Sequence, residues 1–321
     1  MKIAIIYNIC GIGNRENDDY YISSIQSILD QNLDQSKVVV SSCLNSQDSI
    51  DRLIKVFGDE ISISWILDKV PVNVSFNQAV RQSIKKFGEF EGYLYVDSGC
   101  NFNSQAPNTI QELYSVLNSG PIGMVSARTN TDTGYPVWLG IGSHDNDSIG
   151  FNEYFRNLLG HYTIPLGKCI NLHCQLFSHE IYKAYQNVLP DIFAGQCSES
   201  VLSFVNAAIS KNWLIHKDIE IEHQTGLDVP SVGFSPPAWI QSTGRPNWDH
   251  PFIIDSILPR IRGGLKYGLG YEEIQSVAMH DETKFDINGY ALDIKLKEYI
   301  KNNLFLQKNE FDYNKINSSW L

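Results

Sequence analysis

Through the first hundred residues, apolar positions fall into short unbroken blocks separated by longer stretches where they recur every three or four residues. The blocks are KIAIIYNI (2–9), KVVVSSCL (37–44), ISISWIL (61–67) and the start of YLYVDSGCNF, at 92–97. Continuous apolar runs of that length are what strands covered on both faces look like. Between them, DDYYISSIQSILDQNL (18–33) carries Ile22, Ile25, Ile28, Leu29 and Leu33 at helical spacing, with acids at its start where a helix N-terminus favours them. SQDSIDRLIKVFG, with Asp48 near its start, and NVSFNQAVRQSIKKFG give a second and a third helix. Strands alternating with helices require crossover connections, so the pattern predicts an α/β fold with a mostly parallel sheet flanked by helices.

Beyond residue 100 the pattern predicts a helix over NTIQELYSVLNSG and a strand over PIGMVSAR, then a Gly/Asp/Asn-rich loop or hairpin at 129–152. INLHCQLFSHEIYKAY reads as a strand running into a helix, and GQCSESVLSFVNAAISKNW as an amphipathic helix. LIHKDIEIEH is a short alternating strand that ends on His223. A long loop rich in Pro, Gly and aromatics follows, including Trp239, Arg245, Trp248, Asp249 and His250. From about 253 the tail reads as helical, with a polar end that frays.

Composition narrows the function classes. With 25 Lys+Arg against 36 Asp+Glu the formal charge is −11, which excludes a non-specific nucleic-acid binder but not a phosphate-bearing small ligand held by a local site or a cation. The six cysteines are scattered without a CxxC pair, and MKIAIIYNIC reads as a first strand rather than a signal segment. Reduced thiols and a cytoplasmic setting are therefore expected. No apolar run is long enough for a membrane span, although peripheral membrane contact stays open.

Motifs exclude more than they assign. The chain has no G-x-x-x-x-G-K-[ST] loop and no G-x-S-x-G elbow. GIGNRE (11–16) starts like a dinucleotide fingerprint, but Glu16 stands where the third Gly belongs, so it reads as a turn. His173 and Cys174 near Cys169 match no usual zinc spacing and read as packing. Asp97 is a lone carboxylate delivered by a buried strand onto a Ser-Gly turn, at the sheet edge where open α/β sheets bind ligands. As a turn former it also serves simply to end the strand.

The order of these features resembles the GT-A fold glycosyltransferases, especially the family-2-like group. Ile25-Gln26-Ser27-Ile28-Leu29-Asp30-Gln31 is similar to that group's first-helix motif, and Asn77 matches an Asn that closes a strand-following segment. Asp97-Ser98-Gly99 stands where the nucleotide-sugar Asp-x-Asp ends the fourth strand. Residues 176–223 follow the acceptor-side pattern, in which an acidic pair heads a helix and a later strand closes on a His. The resemblance implies a glycosyltransferase domain over 1–223, with a nucleotide-sugar half to about 100 and an acceptor half over 101–223. Residues 224–321 would form a loop and helical extension.

What the resemblance implies for the site is specific. Tyr7, Asn8, Ser41, Ser42, Asn77, Arg81, Asp97 and Ser98 would line the nucleotide sugar, a uridine-linked (UDP) sugar among the donors it suits. Asp97 and His223 would hold Mn2+ or Mg2+, and Glu199 would take the proton of a hydroxyl acceptor, a glycan, in an inverting displacement. Arg81 and Lys69 flank the third strand–helix unit and read either as phosphate contacts or as solvated surface charges. The chain departs from the family at three places. Gly99 replaces the second acid, Ser41, Ser42 and Cys43 replace the acids after the second strand (with Asn45 or Asp48 as substitutes), and Ser198-Glu199 supplies one acid of the pair. A nucleotidyltransferase and a catalytically silent sugar- or nucleotide-binding protein are the competing readings.

Overall fold

The computed structural model describes residues 1–10, 18–43, 45–68, 70, 72–129, 137–138, 157–164, 168–170, 172–190, 202–207, 209–224 and 313–321. The turn at 11–16, Lys69, most of the 129–152 segment, Glu199 and the expected loop and helices over 225–312 lie outside them.

The first half alternates as expected: β1 (Ile3–Cys10), α1 (Asp18–Leu29), β2 (Lys37–Cys43), α2 (Gln47–Phe57), β3 (Ile61–Ile66), α3 (Val72–Phe87) and β4 (Gly92–Asp97). Strands β3, β2, β1 and β4 lie side by side in that order, all parallel. The α1 helix is one turn shorter than its apolar spacing suggests, because Asn32 gives its N–H to the Pro107 carbonyl at 2.6 Å. Ser46 caps α2 by accepting from the Ser49 N–H, and Gly58, at φ 50, closes it on the Ile54 carbonyl.

The second half adds β5 (Cys100–Asn101), α4 (Thr109–Leu117), β6 (Ile122–Thr129), β7 (Val137–Trp138), β8 (Asn157–Leu158), β9 (His161–Thr163), β10 (Lys168–Cys169) and β11 (Cys174–Ser178). It ends with α5 (His179–Tyr185), α6 (Leu202–Ala207) and β12 (Asn212–His223). β11 inserts antiparallel between β4 and β6, and β12 then runs parallel to β6. β7 and β10 form a separate two-stranded ribbon. Of the expected amphipathic helix over 195–213, α6 lies among the described residues, and 195–201 lie outside them. The end of α6 is set by Asn206, whose carbonyl accepts from the N–H groups of both Ile209 and Lys211, so β12 starts at Asn212.

Strand alternation splits the core in two. Ile3, Ile5, Tyr7, Leu94 and Val96 face α1, α2 and α4, whereas Ala4, Ile6, Tyr93 and Tyr95 face α3, α5 and α6. Each large apolar side chain removed from water on either face contributes about 1.5–3 kcal/mol. Trp213, the largest fully buried side chain among the described residues, also satisfies its indole N–H on Ser126 Oγ at 2.7 Å.

The polar end of the chain does not fray as expected. Ser318–Trp320 forms β13, antiparallel to β3 at the sheet edge. Trp320 packs edge-on against Phe87, and the Arg81 guanidinium lies 4.4 Å over the Tyr313 ring. These side-chain anchors supply what a three-residue polar strand lacks by itself. No helix among the described residues is long and apolar enough to cross a membrane, and the cysteines Cys43, Cys100 and Cys174 are buried.

Candidate active site at the carboxyl edge of the sheet

The chain moves outward from β1 to β2 to β3 and then returns to place β4 on the other side of β1. The crossovers through α1 and α2 therefore lie on one face and the crossover through α3 on the other, and a crevice opens at the carboxyl ends of β1 and β4. That switch point is where open α/β sheets bind ligands. A row of polar residues crosses it in register: Ser64 on β3, Ser41 on β2, Asn8 on β1 and Asp97 on β4. The row continues to His173, whose carbonyl accepts the Asp97 N–H at 2.8 Å.

Three chain segments far apart in sequence converge on Asp97. His223 Nε2 lies 3.2 Å from Asp97 Oδ2, and the ring of His173 stacks on that of His223 at 3.9 Å with only 4° between planes. Thr129 Oγ1, at the end of β6, lies 3.1 Å from His173 Nδ1. One ligand atom from each of Asp97, His173 and His223 falls within 4.8 Å of the others. His223 is 6% exposed at its side chain and Asp97 16%. His173 matches no zinc spacing with Cys169 and Cys174, and its neighbours in this group come instead from β4 and β12.

β12 delivers His223 by breaking its own ladder. Ile215 pairs with Ser126 and Glu220 with Arg128, so five residues of β12 stand against two further residues of β6. A bulge of this kind bends a strand. Past it, Glu222 and His223 pair antiparallel with Asn101 and Cys100 of β5. The Gln224 N–H then bonds the Gly99 carbonyl at 2.9 Å, strapping the end of β12 to the Asp97 turn.

The other side of that turn is held by α1. Tyr20 gives its hydroxyl hydrogen to the Gly99 carbonyl at 2.5 Å, Ser24 to the Cys100 carbonyl, and Ser27 Oγ accepts the Phe102 N–H at 2.9 Å. Tyr7 reaches the Ser98 carbonyl at 2.7 Å from β1. Burial pushes the phenols of Tyr7 and Tyr20 well up, in Tyr20 with the further influence of Cys100 and Glu222, so both remain protonated donors. The Ser-rich face of the first helix is thus the clamp on the 97–102 turn.

Gly99 has a physical reason. A Cβ built there would stand 2.6 Å from His223 Nε2 and 2.7 Å from the Gln224 carbonyl. The imidazole occupies the room that a second acid in Asp-x-Asp would need. Restoring that acid with Gly99→Asp is expected to lower stability by about 1–3 kcal/mol, the usual cost of overpacking a filled interior. Chemical denaturation measures this, and an unchanged midpoint would mean that His223 yields its place freely.

The remaining residues implied by the resemblance are placed as follows. Asn8 donates from Nδ2 to the Ile6 and Val96 carbonyls, while its Oδ1 is buried with no hydrogen-bond partner among the described residues. Ser41 is buried and bonded to Ser75 Oγ on α3 at 2.6 Å, and Ser42 accepts from the Asn45 amide at 2.8 Å. Ser98 is buried. Asn77 is turned to the backbone of 188–189, accepting from the Val188 and Leu189 N–H groups and donating to the Leu189 carbonyl. Arg81 donates to Asn187 Oδ1 and the Gln186 carbonyl, both at 2.9 Å. The structure therefore gathers Asn8, Ser41, Asp97, Ser98 and His223 near one edge, and directs Asn77 and Arg81 to the α5 end and Tyr313.

The sequence matches no protein-family model and no curated protein. Solved structures similar to this chain include the mannosyltransferase PcManGT from Pyrobaculum calidifontis in complex with GDP-Man and Mn2+, at 11% identity and a TM-score of 0.47, covering 93% of this chain and 84% of that one. S. aureus TarS is similar at 12% identity and a TM-score of 0.49, covering 85% of this chain and 46% of its own. TarS 1-349 in complex with UDP is similar at 13% identity and a TM-score of 0.45, covering 69% of this chain. The chain spans less than half of full TarS, and 59% of the 1-349 fragment.

Proposed function

We propose that this chain is a glycosyltransferase that moves a sugar from a nucleotide-sugar donor to a hydroxyl acceptor, with a divalent cation at Asp97. The observation that carries the reading is a carboxylate at the end of β4, in the switch-point crevice, facing two imidazoles from distant segments. The family order of motifs, from the first-helix Ser27 to the closing His223, points the same way. A donor set of one carboxylate and two imidazoles fits a divalent ion, and the close approach of His223 to Gly99 gives that set a fixed cradle.

When bound there, a divalent cation supplies Lewis-acid neutralisation of the departing diphosphate. Asp97, His173 and His223 would hold it. Asn8 Oδ1, an acceptor with no partner among the described residues, would take a hydrogen bond from the donor. Glu199 would accept the proton of the acceptor hydroxyl as that oxygen attacks the anomeric carbon. The bond from the anomeric carbon to the phosphate oxygen breaks as the new one forms, and a single displacement inverts the anomeric centre.

Thermal unfolding of the full chain in a panel of uridine- and guanosine-linked sugars, with and without manganese, tests the reading. A donor-specific rise in Tm that depends on the cation is the expected result, because a ligand that binds only the folded state stabilises it by mass action. If no nucleotide or nucleotide sugar moves Tm, the proposal is lost. A shift with no donor turnover, unaltered by Glu199→Gln, would leave a binding protein in its place.

A further inference from the structure

We infer that the bulge in β12 is a proton-operated hinge, in which the paired imidazoles of His161 and His216 hold the strand's course while neutral and release it once protonated. His161 begins β9, and the pairing of Tyr162 with Ile215 puts it opposite His216, the first residue of the bulge. Neither histidine belongs to the group around Asp97. The inference stands whether or not the chain transfers a sugar.

Both rings serve the bulge as acceptors. The Lys217 N–H bonds His161 Nδ1 at 3.4 Å, and the Asp218 N–H bonds His216 Nδ1 at 3.3 Å. These two backbone donors lie where β12 leaves its ladder with β6, so the imidazoles stand in for the strand partner that a bulge gives up. An imidazole accepts at Nδ1 only while neutral, because both of its nitrogens donate once it is protonated. One proton on either ring therefore cancels one of the two bonds. The ring centroids are also 4.3 Å apart, so protonating both sets like charges against each other.

The surroundings favour the neutral pair. Burial, with the His161 ring beside it, holds the His216 pKa down at about 4, and burial lowers His161 as well. Of the charges on the bulge itself, Asp218 draws both imidazoles up and Lys217 pushes both down. β6 brings Arg128, which donates to the Lys217 carbonyl at 3.1 Å and faces Glu220 at 3.7 Å. β9 adds Tyr162 beside His161, and neither β8 nor α6 carries a charged residue. Each histidine thus binds its proton less readily in place than in the opened strand, where its ordinary value is about 6.5. The opened form gains protons as pH falls, so the bulge is fully held above about pH 6.5 and weakens toward pH 4.

What the hinge carries is the end of β12 that reaches the crevice. Past the bulge Glu220 and Ile221 rejoin β6, and Glu222 and His223 then pair with β5 beside Asp97. Mild acid is therefore expected to loosen 216–223 while β1 and β4 stay closed. Hydrogen exchange of the full chain, read by mass spectrometry as protection factors, measures this. Protection over 216–223 is expected to fall about tenfold or more between about pH 7 and pH 5, since each proton gained on opening shifts the equilibrium up to tenfold per pH unit. Peptides from β1 and β4 are the reference.

The double variant His161→Asn, His216→Asn puts amide oxygens, which accept but do not titrate, in place of the two Nδ1 atoms. In it the acid response of 216–223 is expected to disappear, with circular dichroism checking that the variant is folded. If it is not, an NMR titration of isotope-labelled imidazoles in the wild type decides the question. The two rings, identified by their mutual proximity, are expected to titrate below the ordinary value. An equal loss of protection across β1, β4 and 216–223, an acid response that persists in the folded double variant, or a His216 ring that titrates at or above about 6.5 would overturn the inference.

Discussion

Asp97→Asn is expected to lower sugar transfer by roughly 10³-fold, since a Lewis acid at the leaving group is worth several kcal/mol and each 1.4 kcal/mol is about tenfold. Asn keeps the size of the side chain and an oxygen facing His223 Nε2. The backbone bond from residue 97 to the His173 carbonyl is untouched. The fold should therefore survive with only the charge removed. Steady-state kinetics over a range of manganese concentrations make the measurement. The loss should be in kcat/KM, and excess metal should recover little of it. A variant with near wild-type transfer and unchanged manganese dependence would remove Asp97 from the chemistry and return it to the role of a strand-ending turn residue.

Glu199→Gln is expected to lower turnover by about 10²–10⁴-fold, the range that a positioned general base contributes. Donor binding should be retained, because the acceptor's proton is lost only in the transfer step. The readout is a split: kcat falls while the donor-dependent rise in Tm stays at its wild-type size. Slow hydrolysis of the donor by water should fall with it if the same carboxylate activates both nucleophiles. Should transfer continue at the wild-type rate, the base lies elsewhere and Glu199 is a helix-start acid that stabilises the N-terminal turn.

The parts of this molecule that could be read from sequence are those where a local pattern has one physical cause. Continuous apolar runs such as IAIIYNI must be covered on both faces, and helices at their ends must cross over. That fixes β1 to β4 and their parallel order. β11 could be found as a strand but not oriented, because five buried residues look the same in either direction. β13 was missed because Ser-Ser-Trp has no strand pattern, and its place depends on Phe87 and β3.

The site divides in the same way. Asp97 could be seen because a carboxylate at the end of a buried strand is unusual, and His223 because a strand ends on it. Their meeting, across 126 residues, came only from the resemblance. His173 escaped because a search for nearby ligands in the chain asks about neighbours, and its neighbours are Thr129, Asp97 and His223. Gly99 read as an absence. In three dimensions it is the condition for His223 to reach Asp97 at all.

The edge strand β13 has a consequence for the order of assembly. Asp68 Oδ2 accepts the Asn317 N–H across 249 residues, and the Ile63 and Leu321 backbones exchange both their hydrogen bonds. Contacts that distant in the chain are among the slowest to form, since the loop between them must be closed before they return any stabilisation. During synthesis β1 to β4 are complete long before residues 313–321 emerge. Until then β3 presents open N–H and C=O groups, the kind of edge on which sheets recruit other chains. The interval between finishing β4 and seating β13 is therefore when this protein is most exposed to aggregation, and a folding assay that follows Trp320 fluorescence would time its end.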